Sequence, residues 1–300
     1  MLHVMSPKRL RVIVILFILV TGWCAPAQTE KALLWKVSGK DLSEPSYLFG
    51  TYHLLTHKFL TTTPEIKEPF KNTKGVVVEM ILDSGKLQAL GMKALMPDNK
   101  KISDLISPEQ FQQVSTELER LTGYQLKMLD QLKPVSVMIM MTLQYAQKGN
   151  EAVLKQYPGL PMDYFYAASG RKMNKAVTAL ETQDEQIDLL YNAFSLEEQA
   201  RQLVKFVEQK DIAAQSQVDL LQFYLSKDLS GMYAYADQLP KDFGSSDFLL
   251  KDRNVKWMAV LPGSMKQHSQ FIAVGALHLT GPDGLITLLR QQGYSVTAVP

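Results

Sequence analysis

Two tetrapeptides of one form, Gly50-Thr51-Tyr52-His53 and Gly275-Ala276-Leu277-His278, each place an imidazole three residues after a glycine. They stand 225 positions apart (278 − 53), and each follows a short apolar run, Ser46 to Phe49 and Phe271 to Val274. Two acids close similar runs: Glu79 after Gly75-Val76-Val77-Val78, and Glu181 after Lys175 to Leu180. Two imidazoles with one or two carboxylates suit zinc or another first-row divalent ion. With a position left open, such an ion lowers the pKa of a bound water and polarises a carbonyl. A second carboxylate can then serve as general base. The plainer alternative is that the acids cap helices or pair with cations, and that the histidines are hydrogen-bonded loop residues.

The other polar groups divide differently. Arg253 can orient a carboxylate such as Glu79 or grip a substrate carboxylate with its planar fork, or it can lie on a solvated helix face. His57 lies four residues after His53 in a stretch that reads as loop, so it is expected at the surface or behind the site. His268 is expected to face solvent, and Asp163, at a helix start, to be a cap. Nucleophilic routes lack their signatures, since there is no G-x-S-x-G elbow and the lone cysteine is Cys24. The glycine-rich phosphate loops are absent too.

Strands must carry the candidate residues. Ala32 to Val37 and Ser46 to Phe49 read as a hairpin around Ser38-Gly39-Lys40. The valines of Gly75–Glu79 suit a fully buried strand, and Tyr294 to Val299 makes a last one after the helix Gly284 to Gln292. Between them the chain reads as helix. Thr63-Pro64 opens one to about Asn72, Ser107-Pro108 opens another stopped by Gly123, and Pro134 begins a methionine-rich run to Ala146. That run is apolar nearly all round, which favours a core helix over a groove for peptide or lipid. Further helices are expected from Met162 to Gly170, from the caps Thr182 and Ser195, from about Ile212 to Leu225, and from Ser245 to Leu261. The expectation is one α/β domain over 28–300, with a mainly mixed sheet built from both ends of the chain and a helical insertion over 86–160.

Lys8, Arg9 and Arg11 precede the apolar run Val12 to Val20, and Ala25-Pro26-Ala27 offers a cleavage site, so residues 1–27 read as a secretory signal peptide. Lipoprotein processing at Cys24 is disfavoured by the bulky Trp23. Cleavage removes three of the 32 basic residues and none of the 30 acidic ones, taking the net charge from +2 to −1. No basic patch then points to nucleic acid, no run suits a membrane span of roughly 20 residues, and no cysteine remains. An exported, periplasmic or secreted protein is expected.

The blocks Ser46 to His53, Val78-Glu79, Leu180-Glu181-Thr182, Arg253-Asn254, Val274 to Leu279 and Gly293-Tyr294 occur in the order found in the TraB/GumN family, which the chain resembles from about residue 30 to 300. That family is similar to the Tiki proteases, which are metal-dependent and carry paired G-x-x-H motifs, and is grouped with erythromycin-esterase and ChaN-like folds. The resemblance implies that His53 and His278 are metal ligands or catalytic, Glu79 is their acidic partner, Arg253 and Asn254 support the site, and Glu181 is a further candidate. Tyr52 departs from the pattern, where isoleucine is usual. The expected function is a metal-dependent hydrolase, most simply a peptidase, with Mn, Co or Zn held by His53, Glu79 and His278. The competing expectation is a non-catalytic protein that sequesters a peptide or exported polymer through the helical insertion.

Overall fold

The computed structural model describes residues 31–83, 85, 91–240 and 247–300; the expected signal peptide and Cys24 lie outside them. Six strands form one mixed sheet: β1 (Leu34–Ser38), β2 (Ser46–Thr51), β3 (Gly75–Val78), β4 (Ala176–Ala179), β5 (Gln270–Gly275) and β6 (Ser295–Val299). Their spatial order is β4-β3-β5-β2-β1-β6. The hairpin β1–β2 is antiparallel with Leu34 opposite Phe49, and β1 also pairs antiparallel with β6. The remaining neighbours run parallel, β2 with β5, β5 with β3, and β3 with β4. The first and last segments of the chain therefore share one sheet, as their strand-like runs predict.

Burial explains the order. Every residue of β3 is buried, and Phe271 to Val274 of β5 are wholly inaccessible, as apolar central strands of a covered parallel sheet require. β4, whose residues are mostly exposed, takes the edge. The rings of Phe49 and Phe271 pack edge-on or tilted against Tyr166 of the helix Met162–Lys172. Gly50 lets β2 pass close to the turn after β5, where a Cβ would lie a tight 3.1 Å from the Cα of Ala276.

A second apolar cluster joins Val114, Leu118, Met141 and Tyr145 to Leu203, Phe206 and Ala213. The methionine-rich helix Pro134–Gly149 thus packs into a helical core, with Met141 inaccessible. Ser107 and Gly123 bound the helix Pro108–Thr122, through a capping box and a left-handed C-cap. Among the described residues no helix is long and apolar enough to cross a membrane.

Three elements depart from expectation. The stretch after Thr63 begins as a 3-10 turn, Pro64–Ile66, and becomes α-helix only at Lys67–Asn72; the Thr63 hydroxyl donates back to the Leu60 carbonyl at 3.4 Å instead of capping the turn. The helix expected from Ser245 to Leu261 begins, among the described residues, at Lys251, ends at Met258 and is followed by a second, Leu261–Gln267. Pro262 explains the break, since its ring would clash with the carbonyl of Met258 four residues back. Helix Leu229–Gln238, started by Asp228 accepting from the Gly231 N–H at 2.8 Å, has no counterpart in the sequence expectations.

Candidate active site

Because β2, β3, β4 and β5 are parallel, their C-terminal ends lie along one edge of the sheet, the usual place for chemistry in such folds. That edge carries His53, Glu79, Glu181 and His278. Past the strands the ladder continues, with the Glu181 N–H donating to the Glu79 carbonyl at 2.9 Å.

Glu79 is buried. Its Oε1 accepts from the Gly275 N–H at 2.6 Å, and its Oε2 from Arg253 Nη2 at 2.7 Å and Gln186 Nε2 at 3.3 Å. Burial pushes its carboxyl up, but facing His278, Arg253 and His53 together bring it down to about 2. Arg253 and His53 are the charged partners at neutral pH, because burial pushes His278 down to about 4 and leaves it uncharged there.

His278 sits under the Trp257 ring, centroids 4.3 Å apart, with its Nε2 3.9 Å from Glu79 Oε1. Its Nδ1 meets Asn254 Oδ1 at 2.8 Å. Asn254 Nδ2 donates to the carbonyls of His278 and Asp283 at 3.1 and 2.8 Å, which fixes its oxygen toward the ring. The Nδ1 of His278 therefore carries the proton and Nε2 the lone pair, which accepts from Arg253 Nη1 at 3.0 Å.

His53 is the opposite case. Its side chain is 71% exposed, and Nδ1 meets Asp163 Oδ2 at 2.9 Å. Asp163 Oδ1 accepts from Thr51 Oγ at 2.7 Å, so the acid orients both the strand end and the imidazole. The Asp163 hydrogen bond is the main cause that raises His53 to about 9. Glu181 is buried and fully engaged: Arg253 Nε lies 3.0 and 3.1 Å from its two oxygens, and Trp257 Nε1 donates at 2.9 Å.

Gly275 stands where these groups meet. A Cβ on it would lie 3.1 Å from Glu79 Oε1, 3.5 Å from His278 Cδ2 and 3.9 Å from His53 Nε2, so the bare glycine keeps a small space open among them. All the residues expected at the site, His53, Glu79, Glu181, Arg253, Asn254 and His278, converge on this edge. His57 does not. Its Nδ1 accepts from the Leu160 N–H at 3.0 Å and its ring stacks on Phe165, tying the loop after β2 to the segment before helix Met162–Lys172. His268 lies beside Gly75, at the opposite end of β3. Asp163, Thr51, Gln186 and Trp257 were not foreseen as site residues. Asp163 caps nothing here, for Pro161 is the N-cap of its helix and Asp163 reaches across to β2 instead. Only Thr51, inside the tetrapeptide itself, carried a local signal.

In kind, the donors suit a divalent ion. Both imidazoles have Nδ1 held by an oxygen acceptor, which aims Nε2 inward as metal-binding histidines are aimed, and an ionised carboxylate stands between them. Their spacing is looser than coordination: among the described residues no three His, Cys, Asp or Glu side chains form a ready ion cluster.

Fold and site together define an α/β protein whose parallel strands end in an ionic cluster of two histidines, two glutamates and an arginine. The chain belongs to the TraB/PrgY/gumN family, whose model matches residues 33–298. It is similar to metalloprotease TIKI1 of Danio rerio, 24% identical over 333 aligned positions covering 92% of this chain and 64% of that protein. A second relative, metalloprotease TIKI2 of Xenopus tropicalis, is 24% identical over 336 positions, covering 93% of this chain and 62% of its own. The chain thus spans less than two-thirds of the length of either. No solved structure matches it.

Proposed function

We propose that this chain is an exported metal-dependent hydrolase acting on peptides, with its reaction at the strand ends around Gly275. The observation that carries the proposal is the pairing of two imidazoles, each oriented through Nδ1, with the buried ionised Glu79. The family and the metalloprotease relatives support it.

His53, Glu79 and His278 would hold the ion, of the Mn, Co or Zn kind, which when bound supplies a Lewis acid for the scissile carbonyl and an acidified water. Asp163 keeps the Nδ1 proton on His53 and so presents Nε2 toward Glu79. Asn254 does the same for His278 with a neutral acceptor. Glu181 is occupied by Arg253 and Trp257, which assigns it to holding the guanidinium in place rather than to taking a proton. Arg253 lies where it can steady negative charge beside Glu79. A cavity of about 480 Å³, lined by His57, Leu60, Pro64, Ile66, Phe70 and Phe165, adjoins the loop that follows His53 and suits an apolar substrate side chain.

The test is peptide cleavage by the purified chain with and without a chelator, and after adding back Mn, Co or Zn. Chelator-sensitive cleavage restored by one of these ions is the expected result; an inert protein that binds none of them would sink the reading. Cleavage that survives chelation and rises toward pH 9 would instead favour His53 as a metal-free base, since the Asp163 carboxylate that orients the exposed ring also holds its proton up to about that pH. Ligand capture that survives loss of both histidines would favour the sequestering protein.

A further inference from the structure

Arg253 already supplies the cluster with a cation, and it holds two of the three expected ligands, Glu79 and His278. All of its N–H groups are placed. Nε lies 3.0 and 3.1 Å from the Glu181 oxygens, Nη2 reaches Glu181 Oε2 at 3.0 Å and Glu79 Oε2 at 2.7 Å, and Nη1 reaches the Leu249 carbonyl at 3.2 Å and His278 Nε2 at 3.0 Å. The guanidinium also lies over the Trp257 ring, 4.8 Å from its centroid. Since the other nitrogen of His278 is committed to Asn254, the pair held by Arg253 is the lone pair that an ion would need. The two histidines thus differ in availability: no hydrogen bond among the described residues reaches His53 Nε2.

We propose that Arg253 and a divalent ion compete for Nε2 of His278, so that Arg253 sets the ion affinity of the site and decides whether one imidazole or two bind. With the guanidinium in place, His53 and Glu79 Oε1 are the donors within reach; once Nη1 lets go, His278 joins them. The positive charge of Arg253 works in the same direction, because it repels a second cation from a buried site. The inference rests on the functional reading only in requiring that a divalent ion binds here.

Zinc alone is the probe, titrated against a chromophoric chelator, with the number of imidazoles on the ion counted by X-ray absorption. The full chain is expected to bind zinc through one imidazole. His53→Ala should lose that binding. Arg253→Ala should tighten binding by roughly tenfold or more and add a second imidazole, and the double variant with His278→Ala should lose the gain. Arg253→Lys keeps the charge but cannot hold Glu181 and His278 at once, so it should add the second imidazole with a smaller gain. If removing the buried guanidinium prevents folding, the imidazole counts of the unaltered chain and of Arg253→Lys decide the matter. Two imidazoles already present in the unaltered chain, or an Arg253→Ala variant that binds no more tightly, would overturn the competition while leaving the hydrolase reading intact. A chain that binds no zinc in any variant would overturn both.

Discussion

His53 and His278 end the same motif, strand then Gly-x-x-His, and have opposite electrostatics. One ring is open to solvent beside Asp163 and is raised to about 9; the other is buried beside Asn254 and lowered to about 4. The tetrapeptide delivers an imidazole to the strand edge in both cases. What the imidazole can do there depends on whether the helix across from it offers a carboxylate or an amide, and on whether water reaches it. The exposed ring is held at one nitrogen only, and the buried ring at both.

The largest test of that contrast is His53→Ala, expected to lower peptide turnover by about 10²-fold or more. His278→Ala should also lower stability. It strands the Asn254 oxygen and an Arg253 N–H in a buried place, which costs about 1–3 kcal/mol for each group left unpaired and is read by urea unfolding. Next comes Asp163→Asn, expected to weaken ion binding or turnover by roughly 10–100-fold; in NMR titration the His53 pKa should fall toward its ordinary 6.5. An unmoved His53 would mean that Asp163 is not the cause of the difference.

Smallest, and opposite in sign for the two rings, is the effect of pH on stability. Folded His278 refuses a proton that the unfolded chain takes up below 6.5, so its contribution is lost as the pH falls from 6.5 to about 4. Folded His53 holds its proton more tightly than the unfolded chain, so its contribution is complete below 6.5 and lost as the pH rises through about 9. Stability measured against pH should lose only the acid limb in His278→Asn and only the alkaline limb in His53→Asn. A profile in which both variants change the same limb would break the comparison.

Much of the sheet was legible because its strands announce themselves locally. Gly75 to Val78 and Phe271 to Val274 are too apolar and β-branched for an exposed place, and the residue after each run inherits the strand edge. Helix Leu229–Gln238 was not legible: Gly231 and the two tyrosines Tyr233 and Tyr235 blur its periodicity, and its start depends on one Asp228 contact. Asp163 was misjudged for a related reason. An acid one residue into a helix reads as an electrostatic cap, and nothing in Pro161-Met162-Asp163 tells that it faces β2, 112 positions away.

The sequence alone determined the candidate groups and the edge they occupy, since a glycine and a histidine at the end of an apolar strand need only local chemistry to be placed. The tertiary structure decided their states. Protonation, the direction of each lone pair and the capture of His278 by Arg253 depend on atoms that folding brings from distant segments, and an electrostatic environment of that kind is a property of the packed chain.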